Sequence, residues 1–332
     1  MKEDGTGRIV TMAHMNPYRI NVGKKMWKLD YIVGVATAAD SRHRGHMRDV
    51  LMKMLGDMHQ DRKPFCYLMP ASPDIYRPFG FRYIFDQPQY RLGSEAKECL
   101  QRRELRLDGN LCSSLAGWMN HWLSSRYQVY ALRDRDYMEM LQSELDSEAG
   151  SVYGWYDVSG SLQAFQAFWG REKQEQRFLY AGRDRWLEPD SGQHAPRPAI
   201  MARITDVRSF MEAIVLDEGC PCPAMDVMVN IHDPLIPGNS GLWRWKIDGN
   251  GSSLTKKGVS LPKIHTGECA EEPDYPGTLV STEVLDITIE QLASWLFGYS
   301  ALEELAEGEQ NGVPFWCAYV QVLDGVYLDE VV

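Results

Sequence analysis

Near the amino terminus hydrophobic and polar positions alternate, and then the period changes. Residues 7–20 (GRIVTMAHMNPYRI) read as a strand, and residues 25–36 (KMWKLDYIVGVA) as a second that runs into an apolar stretch. Strands so close in sequence predict an antiparallel hairpin. Ala38–Gly45 (AADSRHRG) is polar and turn-like. Along His46–Gln60, Met47, Val50, Leu51, Met54, Leu55 and Met58 then fall on one face of a helix. Phe65–Met69, between Pro64 and Pro70, predicts a short apolar strand. A helical turn at Pro73–Arg77, a break at Gly80 and a strand at Phe81–Phe85 follow. Strand, helix and strand, with a basic glycine-containing turn opening the helix, fit an α/β unit with a ligand at the carboxyl end of the strand.

Residues 95–147 read as mostly helical, with Leu111, Leu115, Trp118 and Trp122 striping one helix and Tyr137–Leu145 another. Strands follow at Ser151–Tyr156, Gln163–Trp169 and Gln176–Tyr180. Residues 182–198 (GRDRWLEPDSGQHAPRP) are turn-rich and predict a linker. Beyond Ala199 the pattern predicts a helix at Val207–Ile214 and strands at Met225–Ile231, Gly241–Ile247 and Thr278–Ser281. Helices at Thr288–Phe297 and Ser300–Leu305 and a last segment at Tyr319–Tyr327 complete it. The expected class is α+β, and 332 residues are enough for two or three domains.

Hydrophobic residues make up 44% of the chain and charged residues 24%, which excludes disorder from low hydrophobicity. The net charge of −11 is uneven: residues 1–93 hold 15 Lys and Arg against 9 Asp and Glu, leaving 20 against 37 for the rest. A basic front end suits a polyanionic cofactor. The acidic remainder suits a cationic substrate or a solvated surface, and disfavours nucleic acid. Seven scattered cysteines fit reduced thiols in a cytoplasm. MKEDGTGRIV carries no apolar leader, and the apolar stretch Tyr31–Ala39 is too short to span a bilayer. His14, His59, His121, His194, His232 and His265 have no ligand spacing, and Cys220-Pro-Cys222 is too short for zinc, so no metal is expected.

The informative stretch is Val35-Ala36-Thr37 and Arg42-His43-Arg44-Gly45-His46-Met47-Arg48, followed by Ser72 and Tyr76. A helix N-terminus presents unpaired N–H groups and the positive end of the dipole. Glycine there admits a phosphate closely, and Arg42, Arg44 and Arg48 add charge; together they make a diphosphate cradle. A glycine in a basic turn taken alone is equally a solvated turn.

The Arg42-x-x-Gly45-x-x pattern resembles the acetyl-CoA motif of the GNAT acetyltransferases. GVATAADSRHRGHMRDVL and then PASPDIYRPFGF resemble more closely the Eis (enhanced intracellular survival) acetyltransferases, and MARITDV (Met201–Val207) resembles the start of their sterol-carrier-protein-like domain. The resemblance implies a GNAT domain over residues 1–93, a second, degenerate GNAT domain over 94–198 and a sterol-carrier-protein-like domain over 199–332. It implies acetyl transfer from acetyl-CoA to a primary amine of a cationic acceptor, such as an aminoglycoside, polyamine or lysine, in a hexameric homo-oligomer without a membrane or nucleic-acid partner. Val35, Ala36 and Thr37 would line the pantetheine arm. His43, Arg44, Gly45, His46, Met47 and Arg48 would wrap the diphosphate, and Ser72 and Pro73 would touch the thiol end. Met47 departs from the small residue common there.

Tyr76 would be the general acid, as a modestly acidified phenol, or else a packing aromatic. The carboxylate of Val332 would be the general base, or else a frayed terminus. Asp329 and Glu330 would bind substrate or solvate the tail. A backbone N–H at Val35 would polarise the thioester carbonyl. Measured against the family, a strand and two helices are expected before the hairpin, so the given sequence is expected either to be truncated or to have lost part of its acceptor pocket. The alternatives are therefore a non-catalytic acyl-CoA-binding or scaffold protein with an incomplete acceptor pocket, and a lipid carrier.

Overall fold

In a computed structural model of the chain, residues 7–189, 196–257, 276–305 and 312–329 are described. They gather into two compact units, one formed by Met1–Phe85 with Ile200–Val326 and the other by Asp86–Ala199 with Tyr327–Val332.

The first unit opens with the expected hairpin of β1 (Thr11–Val22) and β2 (Lys25–Thr37). Gly23 closes it at φ +55°, the positive φ that a two-residue turn requires. The helix α1 (His46–Gln60) buries Leu51, Met54, Leu55 and Met58, as the periodicity predicts, against Ile32, Cys66 and Leu68. Leu51 and Leu55 are wholly buried, and each contributes about 1.5–3 kcal/mol. After α1 come β3 (Phe65–Leu68), α2 (Pro73–Tyr76) and β4 (Arg82–Gln87). β3 lies parallel to β2, paired through Tyr31 and Tyr67.

The second unit holds β5 (Tyr90–Leu92), α3 (Ser94–Cys99), β6 (Gln101–Leu105), α4 (Gly109–Ser124), β7 (Val129–Ala131) and α5 (Arg135–Ser147). β8 (Ser151–Tyr156), β9 (Leu162–Trp169), β10 (Glu175–Ala181) and β11 (Leu187–Pro189) follow. An antiparallel sheet runs in the order β10-β9-β8-β6. The helical reading of 95–147 is thus interrupted twice, by β6 and β7. β6 carries no apolar alternation; it is held by cross-strand contacts, with Arg102 and Arg103 stacked 3.5 and 4.8 Å from the Tyr153 and Tyr156 rings. Part of the expected linker is likewise a strand, since β11 pairs with β5. The tail is anchored here. Asp329 is buried and accepts hydrogen bonds from Arg133 and from the Tyr180 hydroxyl at 2.6 Å, so it neither binds substrate nor solvates the terminus.

The chain returns to the first unit with β12 (Arg197–Ile204), whose Met201–Ile204 pairs antiparallel with Leu68–Phe65 of β3. MARITDV therefore completes the sheet begun by the hairpin. The strands run β1-β2-β3-β12-β4. Asp206 caps α6 (Val207–Met211) by accepting from Ser209 N at 2.9 Å. β13 (Val215–Leu216), β14 (Ala224–His232), β15 (Gly241–Asp248), β16 (Ser252–Lys256) and β17 (Leu279–Thr288) follow, the last four in a sheet of order β16-β15-β14-β17. A capping box of Thr288 and Gln291 starts α7 (Ile289–Leu296). α8 (Leu302–Leu305) and β18 (Val320–Gln321) come after it, and β18 pairs with β13.

One buried charge pair ties the returning strand β12 to the turn after β14. Arg203 on β12 and Asp233 after β14 are both fully buried, with Nη2 donating to Oδ1 at 2.7 Å. Asp233 also accepts from the backbone N–H groups of Leu235 and Ile236 and from Asn239 Nδ2. On its other side Arg203 packs under Gly80. That glycine sits at φ +79°, and a Cβ there would lie 2.8 Å from Arg203 Nε. Glycine is required twice over, by its backbone conformation and by the guanidinium beneath it.

Two predictions follow from these buried groups. Asp233→Ala leaves an uncompensated buried guanidinium, so urea unfolding will show a loss of about 3–5 kcal/mol, and pairing it with Arg203→Met will recover much of that loss. In the second unit, burial pushes the Tyr127 phenol up to about 12 and raises Tyr180 and Tyr327 well above the ordinary value. Protons held more tightly in the folded state give stability that is complete below the unfolded pKa of about 10 and lost as pH rises through the folded values. Urea midpoints will therefore fall from pH 9 to pH 12, alongside the appearance of tyrosinate absorbance.

Candidate functional site

β2 outruns its partner. It pairs with β3 at Tyr31 and Tyr67, β3 stops at Leu68, and β2 continues to Thr37. The carboxyl ends of two parallel strands thus part beside the start of α1, the place where α/β sheets take ligands. Here β2 is also irregular. Met12 faces Ala36 and His14 faces Val33, so Ala13 stands opposite both Gly34 and Val35. This is a bulge, with Gly34 at φ +61°. An inserted residue reverses the facing of all that follow it. Val35 therefore packs toward α1, against the same cluster as Ile32, although Val33 lies on the other face. An isolated glycine within a strand pattern is the signal for such a bulge; Gly34 stood in the sequence without being singled out.

The turn into α1 is left-handed twice, at His43 (φ +60°) and Gly45 (φ +85°). Gly45 is the N-cap and supplies no side-chain cap, so the first-turn N–H groups of a four-turn helix face outward without one. His43, Arg44 and Arg48 are exposed, and His46 is half-buried. Arg44 and Arg48 have no ion-pair partner among the described residues. Arg42 reaches back to the Thr37 carbonyl, Nε donating at 3.4 Å. A Cβ built on Gly45 meets nothing within 4 Å, so the space at the helix start is open. Met47, the residue bulkier than the motif expects, is half-buried against the core cluster under α1 and takes no space from the turn.

Ser72 is the N-cap of α2 and Pro73 its first residue, both half-buried. Tyr76 is 7% exposed and stands edge-on to Phe81, centroids 6.0 Å apart. It belongs to the cluster that holds Leu51 and Leu55 and against which Val35 and Met47 pack. The fold thus gathers the end of β2, the first turn of α1 and the Tyr76 ring. The Tyr76 hydroxyl has no hydrogen-bond partner among the described residues. Burial raises its pKa, which corrects the expectation of an acidified phenol: nothing positive lies close enough to offset desolvation. Val332 and Glu330 lie outside the described residues.

Residues 3–84 match the family model described as an acetyltransferase (GNAT) domain, and residues 218–310 that of a sterol carrier protein domain. The chain carries a GNAT acetyltransferase domain. It is by that domain an acyltransferase, of a kind that binds an acyl-CoA and an amine acceptor. Similar solved structures include a probable N-acyltransferase from Enterococcus faecalis V583 (17% identity, TM-score 0.67, 92% of this chain and 81% of that one). A GCN5-related N-acetyltransferase from Kribbella flavida is 17% identical, with a TM-score of 0.65 over 98% and 85% of the two chains. Eis1 from Mycobacterium abscessus is 12% identical, with a TM-score of 0.59 over 97% and 86%. At these identities the likeness is one of fold, the mixed α/β arrangement expected from the sequence. No curated protein matches the chain. Among the described residues no helix is long and apolar enough to cross a membrane, and no three His, Cys, Asp or Glu side chains gather around a metal position.

The left-handed turn makes its own prediction. In Gly45→Ala the new methyl clashes with nothing, so the cost is the backbone conformation alone, about 1–2 kcal/mol in thermal or urea unfolding. Unchanged stability would mean that the turn does not need this conformation.

Proposed function

We propose that the protein transfers an acetyl group from acetyl-CoA to a primary amine of a cationic acceptor, in the manner of the Eis acetyltransferases. The observation that carries this reading is the juxtaposition of an open, uncapped and basic helix start with a bulged strand end and a buried phenol in one cluster. The residues present fit the cofactor: a glycine N-cap whose missing Cβ leaves open space, flanked by Arg44 and Arg48 without partners, suits a diphosphate. In this reading His43 to Arg48 hold that end, Val35 to Thr37 line the arm, and Ser72 and Pro73 sit near the thiol.

Acetyl-CoA, when bound, supplies an acetyl group activated as a thioester. Arg44 and Arg48 neutralise charge at the cradle and fix the register of what lies along β2. The bulge takes one residue of β2 out of the ladder, which leaves a main-chain donor near Val35 for a developing oxyanion. Tyr76 keeps its proton through neutral pH because burial raises its pKa, and so stands as a donor. Burial raises the proton affinity of a phenol and of a leaving sulfur beside it alike, so the transfer need not be uphill. The acidic remainder of the chain, 37 Asp and Glu against 20 Lys and Arg, supports a cationic acceptor.

The test is thermal unfolding with and without acetyl-CoA, followed by thiol release with lysine, spermidine or kanamycin as acceptor. Saturation at 100 times the dissociation constant stabilises the fold by about 2.7 kcal/mol, a visible shift. Tyr76→Phe will keep that shift while turnover falls about 10²-fold or more. A Tyr76→Phe protein with full turnover removes Tyr76 from the chemistry, and the absence of any shift removes the cradle.

A further inference from the structure

We infer that His14, rather than the carboxylate of Val332, is the acceptor-side base: the group that takes the proton from the attacking amine. The inference rests on the acetyltransferase reading above and deepens it. It starts from the two faces of the hairpin. On the face that carries Ala13, Ile32 and Val35, α1 covers the strands. On the other face lie Leu29, Tyr31 and Val33 of β2, with Tyr18 and His14 opposite Leu29 and Val33. Part of that face is also filled. Tyr18, Tyr31, Tyr67 and Phe65 form a continuous run of rings, and Phe210 and Phe297 close over Phe65 at 6.0 and 5.1 Å. The filling stops toward the carboxyl end of β2, where His14 and Gly34 are exposed.

An acyl group laid along the end of β2 is shielded by α1 on one side, so an amine has to arrive from the side of His14. The imidazole sits directly over the bulge. A Cβ at Gly34 would lie 3.0 Å from His14 Cδ2, so glycine at 34 is what leaves room for that ring. The exposed His14 ring has no hydrogen bond or ion pair with the described residues. Imidazole is the side chain suited to accepting a proton near neutral pH.

The step balances. The amine nitrogen forms the new bond to the acetyl carbon and its N–H proton passes to a His14 ring nitrogen. The C–S bond breaks, and the sulfur takes the Tyr76 proton. Solvent exchange then returns a proton from His14 to Tyr76.

Histidine carbethoxylation by diethyl pyrocarbonate, mapped by peptide mass spectrometry, tests the placement without turnover. Acetyl-CoA and 3′-phospho-ADP, which keeps the diphosphate and lacks the acyl arm, serve as protectants. The expected result is that both protect His43 and His46, while acetyl-CoA alone protects His14. Protection of His43 and His46 with His14 labelled equally in every sample overturns the assignment of His14 and leaves the cradle standing. No protection of any histidine removes the cradle and this inference with it. In kinetics, His14→Gln, an exposed and conservative change, will lower kcat about 10²-fold and leave the KM for acetyl-CoA near its starting value. Full kcat in that variant overturns the proposal.

Discussion

The arrangement of the first unit depends on a charge pair that water never reaches. Arg203 comes from the strand that completes the hairpin's sheet, and Asp233 from the turn after β14, so each is satisfied only when that strand and that turn pack together. Isolated, either charge would be costly to bury. Their union fixes how the turn after β14 meets the sheet that the hairpin begins. Because Gly80 lies against the same guanidinium, it also fixes the turn that follows Tyr76. The candidate acid is thereby held from below by a residue more than a hundred positions away in the chain.

The chemistry of the site comes from irregularity built on that rigid base. A regular β2 would keep Val35 on the same face as Val33 and leave every main-chain group in the ladder. The bulge at Gly34 reverses the face, breaks the ladder and clears the space that His14 occupies. The second irregularity, the left-handed turn through His43 and Gly45, opens the helix start to an anion. Each depends on a glycine with no side chain to refuse the approach. The first lies inside β2, shortly before the polar turn, and the second at the end of that turn. One short stretch of sequence therefore supplies both the proposed anion cradle and a break in the strand.

Local patterns made much of this legible. The hairpin, the buried face of α1 and the strand–helix–strand order all rest on periodicities that repeat within a few residues, and they stand where the alternation placed them. The basic turn was legible for the same reason: glycine and arginine at a helix start mean the same thing wherever the helix packs. β6 was not, because it is held by cross-strand rings far along the chain. Asp329 looked like a solvated tail residue because its partners, Arg133 and Tyr180, are distant in sequence.

By itself the sequence determined the hairpin, the buried face of α1 and the strand–helix–strand order, and it marked the basic glycine turn and Tyr76 as candidates, since each follows from residue type and spacing over one or two turns. Only the tertiary structure decided that Met201–Ile204 is part of a strand of the first sheet, that Tyr76 is a buried phenol with a raised pKa, and that His14 stands over the bulge. The reason is physical in each case. Strand partners, desolvation and the space left by a missing side chain are properties of the surroundings, and the surroundings are assembled from residues that no local pattern connects.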